Sequence, residues 1–121
     1  MSKAEGAGRR RIAAKYLEVA QIAATEDGAA INVAVGVAVL AGIAASDAIC
    51  AAALGERYAG QDHAAAVHVL KRVDAMLARR LKTLVDMKPG SHYRGSLLTS
   101  DHRDRAIRAA TDLVQAARER I

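Results

Sequence analysis

Apolar residues recur along this chain at intervals of three and four, the spacing that lines one side of an α-helix, and no stretch alternates as a strand would. Four helical segments follow from that pattern. The first is predicted from about Arg10 to Ala24, with Ile12, Tyr16, Val19 and Ala23 as its apolar side; Glu26-Asp27-Gly28 ends it. The second, Ala29 to Arg57, is apolar almost all round, as expected of the central helix of a bundle. Val33, Val37 and Leu40 give one of its sides bulk, while Ala34, Ala38, Ala41 and Ala45 would admit a neighbouring backbone on another. Gly60 is predicted to stop it, and Asp62 to cap a third helix reaching about Val85. There Ala66, Val69, Leu70, Val73, Met76, Leu77, Leu81 and Leu84 share one arc, and His68, Lys71, Arg72, Arg79 and Lys82 share the opposite one. A long connection, Asp86 to Thr99, contains the sole proline, Pro89, with Gly90 and Gly95. Ser100 then caps a last helix to about Arg120, whose buried stripe is Ile107, Ala110, Val114, Ala117 and Ile121. The expected fold is all-α: an up-and-down four-helix bundle, one domain over 1–121, with 1–9 a flexible basic arm.

Composition changes the picture of the core. Of the 121 residues 52% are hydrophobic, yet there is no Phe or Trp, and 29 residues are alanine. Alanine favours helix and buries little area, so the helices must approach closely. The single cysteine, Cys50, lies in an apolar run, which fits a small buried hydrophobe in a reducing, cytoplasmic setting. The polar-free run Val33 to Ala45 is shorter than the ~20 residues a membrane span needs, so no membrane contact is expected.

The net charge of +5 is unevenly spread. Lys3, Arg9, Arg10 and Arg11 make the first eleven residues basic. Residues 71–94 carry Lys71, Arg72, Arg79, Arg80, Lys82, Lys88 and Arg94 against Asp74 and Asp86. Such local excess suits phosphates or an acidic partner, although most charged helix faces are simply solvated.

Two turns carry candidate chemistry. In GERYAGQDH, residues 55–63, Arg57 and His63 flank a hairpin. Read as a site, His63 would move a proton at a ribose 2′-hydroxyl or leaving oxygen, and Arg57 would hold the phosphate. Read as structure, His63 is a core imidazole satisfied by a carbonyl or carboxylate. Asp47 interrupts the central apolar helix and must be paired if buried; His63 and Arg80 are its candidate partners. In MKPGSHYRG, residues 87–95, Lys88, His92 and Arg94 offer charge and Tyr93 a stacking surface. No metal-ligand spacing, glycine-rich phosphate loop or other cofactor motif is present.

Taken together, GERYAGQDH, AGIAASDAIC and LKTLVDMKPGSHY resemble small bacterial proteins of the HEPN superfamily, over most of the chain. The resemblance implies an up-and-down bundle of four to five helices, frequently dimeric. Many members are ribonucleases of toxin–antitoxin and defence systems; others are inactive RNA-binding or interaction modules. Active members carry an arginine followed four to six residues later by a histidine, a spacing that Arg57 and His63 meet. The family usually sets that pair near the start of its last core helix, where this chain has Lys88 and His92. The implied function is an RNA-directed module, either a metal-independent endoribonuclease or toxin component, or a non-catalytic module. A homodimer and an acidic partner protein or antitoxin are the expected protein partners.

Overall fold

The computed structural model describes residues 2–55, 62–92 and 97–121, with side chains throughout except at 89–92. All regular structure among the described residues is helical: α1 (Lys3–Ala23), α2 (Ala29–Leu54), α3 (His63–Lys71), α4 (Ala75–His92) and α5 (Ser100–Arg120). The all-α expectation holds, with five helices in place of four.

The differences from the sequence reading have local causes. The expected flexible arm is helical, because Ser2 accepts from the Glu5 N–H at 3.1 Å while the Glu5 carboxylate accepts from the Ser2 N–H at 3.2 Å. Helix α2 stops at Leu54, short of Arg57, because Gly55 adopts the left-handed conformation (φ 70°) that its missing Cβ permits. The single helix expected over 62–85 is two. Asp74 accepts from the backbone N–H groups of Met76 and Leu77 at 2.9 and 3.1 Å, starting α4 afresh. Helix α4 then runs through the expected 86–99 connection as far as His92. Met87 is buried and continues the stripe of Leu77, Leu81 and Leu84, so packing carries the helix into Pro89 and past it. The last helix is capped by Thr99, one residue before the expected Ser100; its hydroxyl accepts from the His102 N–H, and His102 accepts from the Thr99 N–H.

Helix α2 is the hub, packed by α1, α4 and α5. Its alanines at 34, 38, 41, 45 and 48 are completely buried. Helix α1 adds Ala13, Leu17 and Ala20 to the same core, so its buried side is rich in small residues. Ile12 and Val19, expected inside, are 43% and 44% exposed. The bulky side of α2 likewise faces outward at Val33 and Leu40. Small residues win both interfaces because they let the helix axes close up. Gly42 is the tightest point: a Cβ there would collide with the Leu84 Cδ1 methyl of α4 and lie 3.3 Å from that of Leu113 on α5. Helix α2 is long and apolar enough to cross a membrane by composition, but 72% of its most apolar window is buried by the other helices, as in a soluble core.

Ion pairs clamp neighbouring helices. Arg9 near the start of α1 meets Asp47 near the end of α2 at 3.0 Å, as the short connection over 24–28 allows in an antiparallel hairpin. Arg80–Asp112 and Arg120–Asp74, both at 3.0 Å, clamp α4 to α5. Asn32 of α2 accepts from the Leu98 N–H at 3.0 Å and so anchors the entry to α5. Cys50 is buried, as its apolar surroundings in the chain suggested.

Gly42→Val should destabilise the fold by roughly 1–3 kcal/mol through overpacking. Combining it with Leu84→Ala should recover part of that loss, since the truncated side chain vacates the contested space. Chemical denaturation of the four proteins measures the coupling; strictly additive losses would mean that the two positions do not share a contact.

Candidate nucleic-acid interface

The break at Asp74 decides the shape of the basic surface. Had 62–85 been one helix, His68, Lys71, Arg79 and Lys82 would form a convex stripe. Instead α3 folds back along α4, and the residues become two walls of a groove. Its cavity, about 490 Å³, takes His63, His68 and Lys71 from α3 and Arg79, Lys82 and Asp86 from α4, over a floor of Val67, Ala78 and Val85. The outward cations are exposed, while the floor is partly or fully buried.

The turn that makes this groove is held from several directions. Arg72 and Val73 donate back to the Val69 and Leu70 carbonyls at 3.2 and 2.9 Å, tightening the end of α3. Asp74 is then gripped by the Leu77 N–H, the Met76 N–H and the Arg120 guanidinium, which hold its carboxyl below the usual value of 3.8 despite partial desolvation. Arg72 stands in this turn, exposed and outside the groove lining.

Within the groove the charges are not equivalent. Lys82 is paired with Asp86 at 2.7 Å, one turn further along α4. Lys71 and Arg79 have no carboxylate partner among the described residues, so they are the pair most available to an incoming anion. The apolar floor lowers the local dielectric beneath them and strengthens that attraction.

At one end of the groove His63 and Lys88 tie α3 to α4, with Lys88 Nζ 2.9 Å from His63 Nε2. An ammonium has only donors, so Nε2 is the acceptor and the ring proton sits on Nδ1. Partial burial, reinforced by the Lys88 charge, holds the His63 pKa below the ordinary 6.5, against a smaller opposing pull from Asp62. The fold therefore favours the neutral imidazole of His63, with its basic lone pair covered by a cation.

The other sequence candidates are distributed as follows. Asp47 is buried and paired, but with Arg9 and not with His63 or Arg80, the partners expected from the chain. Arg80 is exposed and bonded to Asp112, because α4 turns it toward α5 and away from α2. Arg9, in the segment expected as a flexible arm, is the partner of Asp47; the Ser2–Glu5 capping box is the sequence signal that places it on a helix. Lys88, expected on a loop, lies on α4, as does the backbone of His92. Arg57, Tyr93, Arg94 and the side chain of His92 lie outside the described residues. Comparison of the chain with protein-family models, curated proteins and solved structures returned no match.

The depressed His63 pKa makes stability depend on pH with a definite sign. The unfolded chain takes up the proton first, near 6.5, so the stability held above that pH is lost as pH falls through the lower native value. His63→Gln keeps a polar side chain beside Lys88 but does not titrate. Its melting temperature should therefore fall less than that of the wild type between pH 7.5 and pH 5. Parallel curves for the two proteins would show that the fold does not disfavour the imidazolium.

Proposed function

We propose that the protein is an RNA-directed module resembling the HEPN superfamily, an up-and-down helical bundle acting in the cytoplasm, and that the α3/α4 groove is where single-stranded RNA binds. The observation that carries this reading is the groove itself: Lys71, Arg79 and Lys82 over an apolar floor, with His63 and His68 in the same walls. The cations neutralise phosphates irrespective of sequence, and the floor accepts the flat faces of unstacked bases. An acidic segment of a partner protein, such as an antitoxin, would meet the same cations.

His63 supports the nuclease form of this reading. A neutral imidazole is the protonation state a general base needs to accept the 2′-hydroxyl proton. Lys88 covers its lone pair, so cleavage requires a phosphate to draw the ammonium away and expose Nε2. Binding would then activate the base. The covered lone pair also favours the alternative, a module that binds RNA and leaves it intact, in which Lys88 and His63 are only a strut between α3 and α4.

Two measurements separate these forms. Fluorescence anisotropy of a labelled single-stranded RNA across a salt series should give a slope that falls by roughly 0.7 for each phosphate contact removed, so Lys71→Ala/Arg79→Ala should flatten it and weaken all sequences alike. Unchanged affinity and slope would discard the groove as the binding surface. Incubation with total RNA in the presence of chelator then tests catalysis. In the nuclease form the wild type cuts and His63→Ala binds without cutting; binding without any cutting by the wild type leaves the non-catalytic module.

The homodimer is proposed from a different surface. The face of the α1/α2 hairpin that bears the Arg9–Asp47 pair also presents Ile12, Tyr16, Val19, Val33, Val37 and Leu40, all exposed or partly so. The Arg9–Asp47 and Lys15–Glu18 pairs on α1 and α2 are internal to the chain, so two copies can bring these faces together with their charges already compensated, despite the net +5 of each chain. Val33→Glu/Leu40→Glu should sediment as a folded monomer where the wild type sediments as a dimer. A dimer that persists in the variant would move the interface elsewhere.

A further inference from the structure

The opposite flank of α4 carries a second basic site, which the groove does not use. Between α4 and α5 lies a cavity of about 150 Å³, open to solvent and lined by Arg80, Thr83, Arg105, Arg108 and Ala109. We propose that this cleft is an oxyanion site that takes one phosphate group. The proposal does not rest on RNA binding in the groove.

Three guanidinium groups around one small cavity repel each other unless anions intervene, and the carboxylates nearby compensate them only in part. Asp112 lies 3.0 Å from Arg80 Nε as an ion pair of half-exposed side chains, and the two terminal nitrogens of Arg80 have no hydrogen bond among the described residues, which leaves them for another ligand. Asp101 reaches Arg105 only at 3.5 Å, the long end of an ion pair, and both side chains are more than half exposed. A dianion in the cleft would compete with that contact on favourable terms. Arg108 has no hydrogen bond or ion pair among the described residues. The Thr83 hydroxyl donates to the Arg79 carbonyl at 3.1 Å, which fixes its side chain against the helix and keeps the wall of the cleft open.

Size limits the ligand. A cavity of about 150 Å³ holds on the order of five waters, enough for a tetrahedral oxyanion with some retained hydration, while its open side leaves anything attached to that group outside the cleft. Planar forks arriving from two helices suit the oxygens of a phosphate better than a single carboxylate, which one guanidinium already satisfies. The group could be free phosphate or a phosphate of a strand that crosses α4. Arg79 in the groove wall and Arg80 in the cleft wall are consecutive residues, so one strand can reach both sides.

The test is a titration of the full-length protein with inorganic phosphate at constant ionic strength, balanced with sodium chloride. Wild type should show a saturable rise in melting temperature. Arg105→Gln/Arg108→Gln should lose at least half of that rise, and Lys71→Gln/Arg79→Gln, which alters only the groove, should keep more than half of it. A rise of equal size in Arg105→Gln/Arg108→Gln, or no rise over chloride in the wild type, overturns the site. Should the arginine variant fold poorly, the wild-type Nε–Hε resonances give an independent reading: those of Arg80, Arg105 and Arg108 should move with phosphate, and failure to move overturns the proposal. A short single-stranded RNA in place of phosphate identifies the source. Movement of the same signals by RNA points to a strand phosphate, and movement by phosphate alone points to a free anion; both support the site. Loss of RNA binding in the groove variant with retention of the phosphate response would separate the two basic surfaces.

Discussion

The closeness of α2 to its neighbours is the constraint on which the rest of this protein depends. Gly42 leaves room for the ends of Leu84 and Leu113, and the alanines around it let α1 approach on another side. With no Phe or Trp available to fill a wider space, a larger separation would leave voids that nothing in the chain could occupy. Close contact therefore sets the depth of α4 against the hub. That depth in turn decides which residues of α4 remain outside to form the groove with α3 and the cleft with α5.

Asp74 converts a pattern of charge into a surface with shape. Its carboxylate caps α4 and is held by Arg120 from the far end of α5, so the fold-back of α3 is coupled to the packing of the last helix. Without that turn the cations of residues 68–82 would radiate into solvent, where exposed charges are screened and cheap to leave unpaired. Facing one another across an apolar floor, they act on the same ligand. His63 and Lys88 close the other end of this groove and give it chemical polarity: cations at one end, a covered base at the other.

Much of this was legible in the chain. The period of 3.6 identified the helices, Asp62 was placed as a cap, and the polar-free run was read as a core helix. What failed did so for identifiable reasons. On α1 the larger apolar residues Ile12 and Val19 point outward and the alanines Ala13 and Ala20 inward, because close helix contact outweighs the area a larger side chain would bury. The apolar arc continues past Asp74 on both sides, and that periodicity hides a cap that its own side-chain chemistry announces. The expected connection from Asp86 contains Pro89, but burial of Met87 holds the preceding turn in helix. The Arg9–Asp47 pair joins residues 38 apart in sequence, and no local pattern reveals such a contact. For the site, the cations at 71, 79 and 82 were visible as a stripe, whereas the groove required the turn. The cluster of Arg80, Arg105 and Arg108 required two helices to be brought together.

An alanine core also governs how this protein responds to temperature. Half of the buried apolar residues among those described are alanine, each exposing a single methyl group when the chain unfolds. The heat capacity of unfolding grows with the apolar surface that becomes hydrated, so for its length this chain has a small one. A small heat capacity change flattens the curve of stability against temperature. Lower curvature moves the cold end of the stability range further down, so the packing that makes the core thin also delays the weakening of the fold on cooling.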